Sequence, residues 1–223
     1  MKTNYNDIIN KLDTINPIKY AKDRNFINGS VTKLSPYISR GIISTKSVFY
    51  FLLEKGYSLK SIQKFVQELV WREFWQMTWA DKNINEDLRT KQKDYKNIGM
   101  PKKVYDFDTG INAIDNSIKL LYNTGYMHNH LRMYVASLVT NIGKYHWKIP
   151  AKWMYYHLLD ADWGSNALSW QWVCGSNSSK KYYANQENIN RFTDSNQKNT
   201  ILDKSYDELI NYKCEGIFVY RLT

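Results

Sequence analysis

The sequence predicts an all-α globular domain. Three observations carry that expectation: apolar residues recur at helical rather than alternating spacing, cap and stop residues bracket those runs, and strand signals are few. A first helix is expected to open at Ser44 and stop at Gly56, an N-cap and a C′ glycine around 48-VFYFLLEK-55. A second runs from about Ser58 to Trp79, with Ile62, Phe65, Val66 and Leu69 at i, i+3, i+4 and i+7. A third starts near Thr109, places Ile111, Ile114, Ile118 and Leu121 on one stripe, and stops at Gly125. A fourth runs from Met127 to about Lys144, where Leu131, Val135, Leu138 and Ile142 serve the core. Pro150 suits the first turn of a fifth helix reaching Leu159, and a sixth starts after Asp162. The charged, amide-rich stretch from Asp81 to Lys103 reads as surface loop or short helices, and periodicity assigns no structure to the Asn/Gln-rich tail from Asn185.

The chain has 223 residues, 43% hydrophobic and 23% charged, enough to bury a sizeable core. A formal net charge of +10, with 18 Tyr and 8 Trp, fits a polyanionic partner whose bases can stack on rings. Charge alone is equally compatible with a merely soluble basic protein. Two cysteines, Cys174 and Cys214, without a CxxC pair, fit a reducing compartment and exclude a disulfide framework and a structural zinc site of the CxxC type. The start carries no apolar signal-peptide core, and the longest apolar run, Val48 to Leu53, is too short to span a bilayer. A cytoplasmic protein without membrane contact is expected.

Two helices carry a second face that does not read as core. Glu68, Trp71, Arg72 and Trp75 share a stripe mixing an acid, a base and two tryptophans. A solvated face rarely keeps the tryptophans and a buried one rarely keeps the charges, so the choice lies between an interhelical ion pair edged by rings and the wall of a cavity for a flat ligand. On the fourth helix Asn129, Arg132, Met133 and Ala136 line a similar face. His128 and His130 are two apart and point to different faces, so no metal pair is expected; His146 and His157 have no partner at ligand spacing either. Asp160 and Asp162 precede a helix, where acids suit the dipole and as caps need no further role. Trp170 and Trp172, also two apart, must serve different neighbours.

In order along the chain stand 34-LSPYISRGIIS-44, 67-QELVWREFW-75, 124-TGYMHNHLRM-133 and 160-DADWGSNALSWQW-172. Together they resemble the helical FAD-binding domain of the photolyase/cryptochrome family, over about Tyr20 to Tyr183. The resemblance implies a domain over residues 1–184 that binds FAD and DNA, followed by a divergent extension over 185–223. It implies that Tyr20 and the segment Thr32, Lys33, Leu34 and Ser35 hold the FAD phosphates. Phe65, where the family often has tryptophan, lies against the cofactor, and Arg72 approaches the phosphates or the substrate side. Asn129 and Arg132 flank the isoalloxazine, Arg132 bridging to Asp160; Asp162 accepts from the flavin or its ribityl chain, and Asn166 faces flavin N5. Glu68, Trp71, Met133 and Trp172 match the pocket for a flipped pyrimidine dimer: flat apolar walls and an acid to hydrogen-bond the dimer. Asparagine at 129, where (6-4) photolyases have histidine, favours cyclobutane dimers. Trp170 and Trp147 match the first two members of an electron path to the flavin.

There are departures from the family pattern. Met1 lies just ahead of the FAD-domain motifs, so no antenna chromophore site is expected in this chain. Asp94 or Tyr95 falls where the third tryptophan of the electron path belongs, and Tyr95 is the one able to substitute. Trp163 and Ser165 replace small or aliphatic residues, and the residues beyond Tyr183 follow no family ending. The resemblance thus implies light-driven splitting of cyclobutane pyrimidine dimers in DNA by electron transfer from reduced FAD. A cryptochrome-like blue-light sensor without repair, and a helical nucleic-acid module without flavin, remain the alternatives.

Overall fold

The computed structural model describes residues 4–212 and 221–222. In chain order the helices are α1 (Tyr5–Asn10), α2 (Pro17–Asp23), α3 (Ser35–Ser39), α4 (Thr45–Glu54), α5 (Leu59–Asp81), α6 (Lys102–Tyr105), α7 (Asn112–Thr124), α8 (Asn129–Ser137), α9 (Lys148–His157), α10 (Trp163–Cys174), α11 (Gln186–Thr193) and α12 (Tyr206–Ile210). Met100–Pro101 pairs antiparallel with Arg221–Leu222, a two-residue ladder on an otherwise helical fold. Among the described residues no helix is long and apolar enough to cross a membrane.

Local chemistry explains most helix ends. Ser44 caps α4 with a reciprocal Ser47 bond, Ser58 caps α5, and Asp162 caps α10 by accepting from Ser165 N. The third expected helix starts later than Thr109, at Asn112, because Asp115 draws the preceding residues out of the spiral. Its carboxylate accepts from Thr109 N, Thr109 Oγ1 and Gly110 N at 3.0, 2.7 and 3.1 Å. The fourth expected helix is α8 followed by one π turn, Leu138–Ile142. It starts at Asn129 because His128 is its cap, Nδ1 accepting from His130 N. Gly125 ends α7 at φ +68°, and an added Cβ would stand 2.5 Å from Leu159 Cγ. Only glycine permits both that turn and that approach, which brings the Leu159–Asp162 segment against α7.

The short helices α1, α2 and α3 fall below the length at which apolar periodicity is readable. α11 and α12 lie in the Asn/Gln-rich tail, yet Ile189, Leu202 and Leu209 are buried in the same apolar cluster as α7–α10. The stretch after α5 is not a free surface loop: Ile84 and Gln92 are buried, and Leu88 N donates to the buried Gln171 Oε1 at 2.8 Å. Cys174 is buried and unbridged, whereas Cys214 lies outside the described residues.

Two apolar clusters result. One gathers Ile8, Leu12, Val48, Leu52, Ile62 and Phe65 from α1–α5; the other gathers α6–α12, with Ile118, Leu131, Val135, Trp147 and Trp170 at its centre. α5 packs on α2 and α4 with one face and on α10 with another. Its second stripe therefore lies over the seam between the clusters, where a cavity opens.

Candidate functional site

A cavity of about 500 Å³ occupies that seam, within the usual size of small-molecule sites. Tyr20 of α2, the segment Thr32–Ser35, Phe65, Glu68, Trp71 and Arg72 of α5, Asn129, Arg132 and Met133 of α8, and Asp160 and Trp172 all line it. A smaller void of about 70 Å³ shares the Arg72, Asn129, Arg132, Met133 and Asp160 walls and adds Asp162, Asn166 and Trp170. The residues expected to touch cofactor or substrate thus line two cavities that share walls. Trp147 and Tyr95 line neither. A larger cleft, about 1020 Å³, lies beyond Lys33 and Tyr126 and takes in none of the expected residues except Lys33.

The second α5 stripe turns out to be ion pair and cavity wall at once. Arg72 Nη2 donates to Ser39 Oγ at 2.7 Å and to Asp162 Oδ2 at 3.1 Å, and Gln76 Nε2 also donates to that oxygen. Ser39 Oγ donates to the Asp160 carbonyl at 3.0 Å, tying α3, α5 and the entry to α10 together. Asp162 is accordingly occupied three ways by protein donors, Ser165 N at 2.7 Å included. Arg72 is likewise committed to Asp162 and Ser39, so it stands at the α5 wall as half of a pair rather than as a free cation.

On the opposite wall Arg132 Nη2 sits 3.0 Å from both oxygens of Asp160, while its Nε donates to Met127 O at 2.9 Å. Burial alone would raise the Asp160 carboxyl, but Arg132 and the Ser35 hydroxyl hold it below the usual carboxylate range. Asn166 is buried and its Nδ2 donates to Ala151 O at 2.7 Å, which aims the amide oxygen away from that partner. Burial, then the nearby Glu68, pushes the Tyr20 phenol up to about 12, so it stays a neutral donor, its ring edge-on to Phe65 at 4.9 Å. Lys33 holds φ +53°, and its Nζ lies 5.1 Å from the Tyr126 ring centroid, so that residue meets the cavity mainly through its backbone.

Toward the mouth, Trp71 stacks on Trp75 with centroids 5.2 Å apart, and Trp172 leans on Tyr182 at 5.8 Å. Both Trp71 and Trp172 are two-fifths exposed or more, at 45% and 40%, which leaves flat apolar faces at the rim. Glu68 stands between them and α2, 3.5 Å from Arg24 Nε and 3.4 Å from Lys64 Nζ.

The residues fit FAD in their chemistry. Ser165 Oγ is buried with no hydrogen-bond partner among the described residues, and Ser165 borders both compartments, so a polar ligand atom there would meet an unspent donor and acceptor. Paired cations, aromatic walls and amide edges suit a flat heterocycle with an anionic tail. No cluster of metal-ligating side chains occurs among the described residues.

Trp170 borders the smaller void, and Trp147 is fully buried in the same apolar cluster. The His146 ring stacks on Trp147 with centroids 5.8 Å apart, and Tyr95 meets His146 edge-on at 4.9 Å. Asp94 is taken by Lys144 and Lys181, so the ring at this end is Tyr95. Sequence reading missed Ser39, Gln76 and the orphan hydroxyl of Ser165. Gln76 alone left a signal, lying four residues beyond Arg72 on the same face. Trp163, unexplained by sequence, donates through Nε1 to Asn85 Oδ1 at 3.1 Å and meets Tyr155 edge-on, fastening α10 to the loop after α5.

The family model for the FAD binding domain of DNA photolyase matches residues 65–207. The deoxyribodipyrimidine photo-lyase of Alkalihalophilus pseudofirmus is 32% identical over 162 residues, covering 69% of this chain and 33% of that protein. That of Agrobacterium fabrum is 32% identical over 173 residues, covering 70% and 34%. The chain therefore spans about a third of the length of the curated relatives it matches. Among solved structures, a bacterial class III photolyase from Agrobacterium tumefaciens superposes with TM-score 0.69 at 27% identity, covering 84% of this chain and 44% of the other. A Synechocystis cryptochrome reaches TM-score 0.73 at 19% identity, covering 86% and 44%, a likeness of fold.

Proposed function

This chain belongs to the family of FAD-binding domains of DNA photolyase, with FAD as its cofactor, and on that premise we propose that it splits cyclobutane pyrimidine dimers in DNA under light. The observation that carries the reading is the meeting of Glu68, Trp71, Met133 and Trp172 with Arg132, Asp160 and Asn129 around one cavity. A sensor needs only the cofactor-facing part of that set. When bound, the cofactor supplies a one-electron donor that light makes strong enough to reduce a dimer.

The chain's own work is positioning and electrostatics. Trp71 and Trp172 offer exposed ring faces against which a flipped dimer is held out of the base stack. Glu68 exchanges its solvent-reachable pairs with Arg24 and Lys64 for accepting hydrogen bonds from the dimer's imide N–H groups, which orients the dimer in the pocket. Arg132 with Asp160, and Arg72 with Asp162, fix both side walls without adding net charge. Thr32 offers its hydroxyl, and the 32–35 backbone its N–H groups other than that of Leu34, to the cofactor's phosphates, while the Ser35 hydroxyl stays with Asp160. Asn166, a neutral amide held by Ala151 O, faces the flavin ring without biasing it toward one protonation state. The formal charge of +10 attracts DNA through its phosphates, so affinity falls steeply with salt.

The test is direct. The purified, chemically reduced protein is illuminated with an oligonucleotide containing one thymine dimer, and restored thymines are counted. Restoration that depends on light supports the reading. A FAD-loaded protein that restores none at any salt is a light sensor on the same fold.

A further inference from the structure

Among the described residues three tryptophans donate their indole N–H to a side chain. Trp153 donates to the Tyr122 hydroxyl at 3.0 Å and Trp163 to the Asn85 amide oxygen at 3.1 Å, both neutral acceptors. Trp147, fully buried, donates instead to the Asp87 carboxylate at 2.7 Å. A neutral acceptor satisfies a buried indole equally well, so the charge calls for a reason.

The surroundings make the contact specific. Asp87 belongs to the loop after α5, and its other oxygen accepts from Gln92 N at 3.0 Å. Gln92 Oε1 accepts from Trp147 N at 3.2 Å and Gln92 Nε2 donates to Tyr145 O at 3.1 Å, so one buried amide fastens the loop to the tryptophan's own backbone. Gln171, fully buried and next to Trp170, accepts from Leu88 N and donates to the carbonyls of Ile84 and Glu86 at 3.0 and 3.1 Å. The neighbouring cation, Lys148, pairs with Glu86 at 3.1 Å; Asp87 is in no ion pair among the described residues. His146, whose ring stacks on Trp147, is kept neutral because burial lowers its pKa, leaving Asp87 as the anionic base at this indole.

We propose that Asp87 is the proton-accepting residue of Trp147 in the electron path, so that a hole arriving there is held as a neutral indolyl radical. This rests on the photolyase reading above and on the electron path that the family resemblance implies, in which Trp170 gives an electron toward the photoexcited oxidised flavin. Trp147 then loses one electron to oxidised Trp170, and its Nε1 proton passes to Asp87 Oδ1. The products are reduced Trp170, a neutral Trp147 radical and a neutral Asp87 carboxylic acid. One electron from an external small thiol, which leaves as a thiyl radical with its S–H proton passed to water, together with the proton returned by Asp87, restores Trp147 and the Asp87 carboxylate. Tyr95, beside the His146 ring, can relay that electron only if it is itself re-reduced by the thiol. Proton loss removes the charge that otherwise favours return of the electron, so two tryptophans suffice where three are usual.

The experiment is transient absorption on the FAD-loaded, oxidised full chain after a light pulse, in H2O and D2O, with Asp87→Asn, Asp87→Glu and Trp147→Phe alongside. The expected result is a neutral indolyl band in the wild type whose rise slows in D2O. Asp87→Asn should lose both features and show the radical cation with faster decay, while Asp87→Glu restores the neutral band. A radical cation in the wild type with no D2O effect overturns the proposal while leaving the path intact. A signal unchanged in Trp147→Phe overturns the path itself, and the proposal with it. In the cofactor-free chain, the Trp147 indole N–H proton resonance should move upfield in Asp87→Asn; an unmoved resonance denies the contact and equally overturns the proposal.

Discussion

Arg132 Nη2 is equidistant, at 3.0 Å, from the two carboxylate oxygens of Asp160, joining α8 to the segment that leads into α10 across the deep end of the cavity. Asp160 is only 9% exposed, so each partner makes the other's burial tolerable. Arg132→Met strands the carboxylate and is expected to cost about 3 kcal/mol in chemical denaturation. Arg132→Met with Asp160→Leu should cost at least about 1 kcal/mol less than the two single losses added together. Strict additivity would mean that the pair contributes nothing as a pair.

Glu68 is about one-third exposed, and its ion pairs to Arg24 and Lys64 are reachable by solvent. Glu68→Ala should therefore change folding stability by no more than about 1 kcal/mol. Repair should slow while the flavin absorbance stays with the protein. Loss of the flavin in this variant would place Glu68 in cofactor binding instead of dimer binding.

Trp170 borders the small void next to Asn166 and is almost fully buried. Trp170→Phe keeps a ring there but removes the easily oxidised indole. Photoreduction of the oxidised protein should be lost, whereas repair by chemically reduced protein should persist. If both survive, electrons reach the cofactor by another route.

Acid should destabilise the fold in two windows. Burial, with His130 and Arg132 nearby, lowers the His128 pKa from 6.5 to about 4. The unfolded chain then binds the extra proton first. The stability His128 brings as a neutral group is complete above its unfolded value and is lost as pH falls from about 6.5 to about 4, by about 3 kcal/mol. The lowered Asp160 carboxyl acts in the same sense at lower pH: its contribution is present above the ordinary carboxylate range and lost as pH falls through its depressed value. His128→Asn keeps an N-cap acceptor for α8, so urea titrations between pH 7 and 4 should show a flatter decline than the wild type. Parallel curves would assign the decline elsewhere.

The sequence by itself determined the parts that depend on neighbours in the chain. Ser44, Ser58 and Asp162 cap the helices they precede, and Gly125 ends α7 in the left-handed region. The stripes of α7 and α8 bury the residues whose spacing says they should, as does Ile62 with Phe65 on α5, where Val66 and Leu69 are half-buried. Residue types on the second α5 stripe already set it apart from plain core, leaving ion pair or cavity wall open, and the four ordered motifs announced the family. Tertiary structure alone decided which partner each of those groups took. Arg72 found Asp162 across 90 residues, Trp147 found Asp87 across 60, and Ser39 found the Asp160 carbonyl across 121. Caps, turns and amphipathic stripes act within one or two helical turns, so their signals are local and legible. A charge buried in a seam is settled by whichever element packs opposite. Trp163 shows the difference plainly: no neighbour in the chain accounts for a tryptophan between two acids and an asparagine, yet Asn85, 78 residues away, takes its N–H.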